Sequence, residues 1–130
     1  MNQYSKFLLR LSAIFALIGA ALGAHMAGSN DYAIRPIHAH ILVVGWLSLF
    51  AWAVYYKVFT PASKLLPKLH VMTAAAGSIG LTGGMALHIF QPAFLPEAVN
   101  TALYIFGGVI LLISFLLFVI LTFLKTSEEK

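Results

Sequence analysis

The chain has 130 residues, room for one domain, and is 61% hydrophobic but only 9% charged, with mean hydropathy +0.92. A soluble domain of this size has too little interior to hide so much apolar surface, so hydrocarbon is its natural solvent. The net charge is +4, yet the basic residues sit at the ends and in short connections without interleaved aromatics, which excludes nucleic acid as a partner; the lack of cysteine excludes disulfides, thiolate metal sites and covalent c-type haem attachment.

The first apolar run covers about 7–26. Lys6 and Arg10 precede or open it and small residues surround Ala24, so it has some features of a signal peptide; the reading adopted is a first membrane helix. Three more runs follow, at about 37–56, 69–90 and 98–124. Each is long enough to cross a hydrocarbon core of roughly 30 Å at 1.5 Å per residue, and backbone in lipid must satisfy its own hydrogen bonds, so all four are expected as helices. The connections are rich in turn residues: Gly28, Ser29, Asn30, Asp31 and Pro36 in the first, Pro61 and Pro67 in the second, Pro92 and Pro96 in the third. Short links force antiparallel neighbours. The expected fold is therefore all-α, a single four-helix transmembrane bundle over 1–130, running up-down-up-down.

Basic residues set the expected orientation. Lys6, Arg10, Lys57, Lys64, Lys68, Lys125 and Lys130 fall at the two ends and in the middle connection, which places both termini in the cytoplasm, with a bacterial inner membrane as the expected location. Tyr55 and Tyr56 then end the second helix as part of an interfacial aromatic belt. The segment 126–130 is expected to be a solvated, frayed end. The fourth helix, almost free of polar atoms after Gly108, is expected to be a wall facing lipid. Gly19 and Gly23, and Gly80 and Gly84 with Gly77 and Gly83 nearby, have the small-xxx-small spacing that lets helices approach closely; the same glycines also suit a flat cofactor.

Four of the five histidines gather toward the outer face. His25 ends the first helix, His38 and His40 open the second, and His88 ends the third, whereas His70 begins the third helix on the opposite side and is read as a solvated end residue beside Lys68. Residues two apart on a helix differ by about 200°, so His38 and His40 point to nearly opposite faces. One metal ion does not easily take both from a regular helix, but two partners can each take one. A bis-histidine haem needs one imidazole on each side of its ring, so a helix carrying His-x-His can supply an axial ligand to each of two haems. Arg35 sits at the membrane surface three residues before His38, either as an ordinary interfacial charge or as a partner for a haem propionate. Trp46, Phe50 and Trp52 suit porphyrin packing or plain helix packing.

The second helix, with Arg35, His38, Tyr55 and Tyr56, resembles the catalytic subunit of the heme–copper oxidase superfamily, closest to the C-type oxidases and nitric oxide reductases. It also resembles that family's tenth helix, where a His-x-His pair is followed by Gly-Trp, as His38, His40, Gly45 and Trp46 are here. The likeness covers about 22 of the 130 residues. In the family the matching histidine of the second helix ligates the low-spin haem b, and the twelve core helices form three equivalent four-helix units. The resemblance thus implies a haem b protein assembled as a homotrimer, with His38 of one protomer and His40 of the next on one haem. The family's copper site needs an adjacent His-His pair that is absent here, so a stand-alone oxidase is not expected.

Three functions follow as expectations. The first is a haem b membrane protein for electron transfer or for haem or gas sensing, serving a redox partner the sequence does not name, with His38 and His40 as ligands and Arg35 and Trp46 beside the haem. The second is a copper- or zinc-handling membrane protein using His25, His88 and one of His38 or His40, since imidazole suits both metals. The third is a structural subunit packed beside a larger membrane complex.

Overall fold

The computed structural model describes residues 2–128. Its long elements are all helical: α1 Gln3–Ser29, α2 Arg35–Val58, α3 Leu65–Phe90 and α4 Glu97–Phe123. Three of them, α1, α2 and α3, start where the sequence can satisfy or dispense with free N–H groups. Asn2 caps α1 through its Oδ1, which accepts from Ser5 N at 2.8 Å. Pro36 occupies the first turn of α2, where its missing N–H leaves no bond unmade. Ser63 Oγ accepts from Leu66 N at 3.2 Å, and Pro67 lies in the first turn of α3. α1 and α3 end on Asn30 and Gln91, both left-handed with φ 54° and 43°.

Three of the four helices, α1, α2 and α4, are long and apolar enough to cross a membrane. α3 falls outside that group because two histidines, Thr73, Ser78, Thr82 and a run of glycines dilute its apolar character. Of the four membrane helices expected from the sequence, all four are present as long helices, and three have the length and apolar character of a membrane span.

The helices pair through small residues. An added Cβ at Gly77 would stand 2.6 Å from Leu111 Cα, and one at Gly84 would stand 2.6 Å from Tyr104 Cα. One at Gly107 would collide with the backbone of Gly80 and Leu81. α3 and α4 therefore run antiparallel with their backbones nearly touching. α1 and α2 pair antiparallel too, but here side chains fill the contact: Gly19 lies under Leu42, Gly23 under the His38 ring, and Gly45 under the Phe15 ring. At the other end of this pair, buried Ser5 Oγ donates to Ala53 O at 2.8 Å. Gly83 is the exception among the α3 glycines, since a Cβ there would meet nothing within 4 Å.

Three local details differ from the sequence reading. Residues Ile41–Ser48 of α2 are π-helical, and Ser48 Oγ donates to Val43 O five residues back at 2.9 Å. The tail is not all frayed: β2 Thr126–Glu128 pairs antiparallel with β1 Phe59–Pro61, matching Pro61 with Thr126, while 129 and 130 lie outside the described residues. Tyr56 is no interfacial belt residue, being 1% exposed, and half-buried Tyr55 donates its hydroxyl to Leu121 O at 3.3 Å.

Candidate functional site

His38 and His40 stand in the first turns of α2, just before the π-helical stretch. π-turns inside α-helices are frequent at functional sites because they re-aim the side chains around them. The His38 ring lies between α1 and α2, in the space Gly23 leaves open; a Cβ at Gly23 would come within 2.9 Å of His38 Cε1. Its Nδ1 lies 2.8 Å from Gly19 O, so the carbonyl accepts from Nδ1–H and fixes the tautomer with Nε2 as the free acceptor. His40 repeats the pattern within its own helix, with Nδ1 2.8 Å from Pro36 O. Both residues are half-buried, and neither Nε2 belongs to the enclosed, unpartnered polar atoms of the protein.

That pattern suits a metal-bound imidazole. A ligating histidine nearly always gives its second N–H to a carbonyl or carboxylate, which orients the ring and raises its basicity. Nε2 is then the ring atom left free for a partner. The glycine under His38 is the kind of cradle a Cβ would fill. The residues present therefore fit an axial-ligand role on one count, the tied Nδ1 atoms, while Gly23 makes room for the His38 ring itself.

The remaining sequence candidates are more scattered. His25 and His88 are both exposed, and the His88 ring lies 5.7 Å from that of Tyr104. Among the described residues no three of His, Asp or Glu stand close enough to hold a metal ion, so one chain does not bring His25, His88 and the His38–His40 pair together. Arg35 is exposed, its guanidinium 5.0 Å from the centre of the Tyr32 ring. Trp46 is 41% exposed and shares the outer face of α2 with Val43, Leu47 and Phe50.

His70 overturns its sequence reading. It is 0% exposed, not a solvated end residue. Tyr56 Oη lies 2.8 Å from His70 Nδ1; Trp52 meets the ring edge-on at 4.7 Å, and Phe118 stacks on it at 5.5 Å. Its Nε2 is buried with no partner, as are Ser78 Oγ and Asn100 Oδ1. A signal existed in the sequence, since His70, Gly77 and Gly84 are spaced by sevens and occupy one helix face. The polar end of the helix and adjacent Lys68 argued the other way.

Comparison with models of protein families, with characterised proteins and with solved structures gives no match.

Proposed function

We propose that this chain is an integral membrane haem b protein that carries electrons or senses haem or a gas. The four helices form an up-down-up-down bundle with both termini cytoplasmic, α3 crossing the membrane shielded by its contacts with α4. The observation that carries the reading is the pair of imidazoles whose Nδ1 atoms are each held 2.8 Å from a backbone carbonyl, leaving both Nε2 atoms free. Haem held there by His38 and His40 would supply a one-electron couple.

Within this reading the chain's own residues divide the work. Gly19 orients His38, Gly23 makes room for its ring, and Pro36 orients His40. The two imidazoles project from different sides of α2, so the ring of each haem is completed by a second copy, and a closed homotrimer joins His38 of one protomer to His40 of the next. Arg35 is placed at the helix start, where a guanidinium can neutralise a propionate. The exposed face carrying Trp46 and Phe50 faces the neighbouring protomer or its haem. The resemblance of this helix to heme–copper oxidases supports the same assignment.

The test is a reduced-minus-oxidised optical spectrum of protein purified after expression with ample haem. A b-type band that disappears in the His38→Ala, His40→Ala double variant is the expected result. No band in the parent protein refutes the function, and a band that persists in the double variant refutes the site.

A further inference from the structure

At the end of the molecule away from His38 and His40, where α1 and α3 begin and α2 gives way to β1, lies a cavity of about 340 Å³. That size falls within the range of ligand pockets, near its lower limit. Its wall includes Tyr4, Tyr56, Thr60, Ser63 and Lys64. Part of this polarity is already engaged. Tyr56 Oη lies 2.8 Å from His70 Nδ1, and Ser63 Oγ accepts from Leu66 N at 3.2 Å. Asn2, also in the wall, accepts from Ser5 N and donates to Tyr56 O. The hydroxyls of Tyr4 and Thr60, the O–H of Ser63 and the Lys64 ammonium remain to meet a ligand. All four can donate a hydrogen bond, and no carboxylate lines the cavity.

The surroundings carry the same sign. Lys6, Lys57, Lys68 and Lys125 stand at this end, and the Lys125 carbonyl accepts from Ala62 N at 3.2 Å beside the cavity. Among the described residues Glu128, whose backbone pairs with Phe59, is the one acidic residue at this end; Asp31 and Glu97 lie at the other. Three apolar helices of membrane-crossing length put both ends at the level of lipid headgroups. We propose that the cavity receives the phosphate of an anionic phospholipid, whose acyl chains remain in the bilayer. The Lys64 ammonium supplies the opposite charge, and the Tyr4 and Thr60 hydroxyls supply hydrogen bonds to the phosphate oxygens. This site needs the chain to sit in a bilayer but needs no haem.

The experiment places the full chain in nanodiscs of equal phosphatidylcholine and phosphatidylglycerol, and native mass spectrometry identifies the lipid retained by singly lipidated protein. Phosphatidylglycerol should be preferred roughly fivefold, the worth of one lysine near an anionic lipid. Lys64→Gln should remove most of that preference, whereas Lys57→Gln, at an exposed position outside the cavity, should keep most of it. The double variant Tyr4→Phe, Thr60→Val keeps every charge and should lower the preference roughly fivefold through its lost hydrogen bonds. Equal retention of the two lipids by the parent overturns the proposal. An equal loss in Lys57→Gln and Lys64→Gln also overturns it, because that marks a diffuse surface charge, as does a double variant with the parent's preference. Loss of the preference on adding millimolar inorganic phosphate at constant ionic strength assigns the cavity to free phosphate and overturns the lipid assignment. Haem content is expected to be unchanged in Lys64→Gln, so failure here is distinct from failure of the haem assignment.

Discussion

Replacing Gly107 with alanine tests the packing of α3 on α4 most severely. A methyl group there would collide with the backbone of Gly80 and Leu81, atoms that no rotamer change can move aside. Two effects oppose each other. Alanine is the better helix former by roughly 1 kcal/mol, which favours the variant. Overpacking a tight contact costs about 1–3 kcal/mol, and backbone against backbone belongs at the upper end. The net loss expected is about 2 kcal/mol, more than a tenfold shift in the folding equilibrium. Gly83→Ala supplies the control, because its methyl group meets nothing within 4 Å. Only the propensity gain remains there, so a stabilisation of roughly 0.5–1 kcal/mol is expected. The assay is unfolding in mixed micelles, followed by circular dichroism as denaturing detergent is added. Equal stability of Gly107→Ala and the parent, or a loss in Gly83→Ala matching that in Gly107→Ala, refutes the described contact.

Tyr56→Phe removes the hydrogen bond to His70 Nδ1 and leaves a fully buried imidazole with neither nitrogen paired, so a loss of about 1–3 kcal/mol is expected in the same unfolding assay. Tyr55→Phe, which gives up a longer 3.3 Å bond at a half-buried site, should cost distinctly less; the reverse order contradicts the burial described for the pair. Ser5→Ala loses the buried bond to Ala53 O that ties the start of α1 to α2, with an expected cost of about 1 kcal/mol by thermal denaturation. Gly23→Leu drives a side chain into the His38 ring and should lower haem retention several-fold without altering any histidine. Retention equal to the parent's removes the argument that Gly23 positions His38.

Hydropathy alone made the four helices legible in this sequence, because lipid leaves a long apolar run little alternative. Their ends were not legible from hydropathy, because Gln3, Arg35 and Leu65 start helices through caps and a first-turn proline, not through apolarity. The glycine spacing correctly marked close packing at Gly77, Gly80 and Gly84 but did not single out Gly107, whose partner Gly80 lies on another helix. Nor did it separate Gly83, one residue off the contact face. The pair His38 and His40 was visible through its spacing, but the carbonyls of Gly19 and Pro36 that orient the rings appear only once the chain is folded. His70 was misread because a histidine near a lysine at a helix end has the look of a solvated residue. Its burial depends on Trp52, Tyr56 and Phe118 from two other helices converging on it, a tertiary fact no local pattern encodes.

Whether His38 and His40 hold haem is read from the haem-to-chain ratio of the purified protein, measured for the parent and for His38→Ala. A closed ring in which each haem takes His38 from one copy and His40 from the next predicts about one haem per chain in the parent, and little or none in the variant. A parent that binds no haem, or a His38→Ala variant that keeps its full complement, contradicts the account.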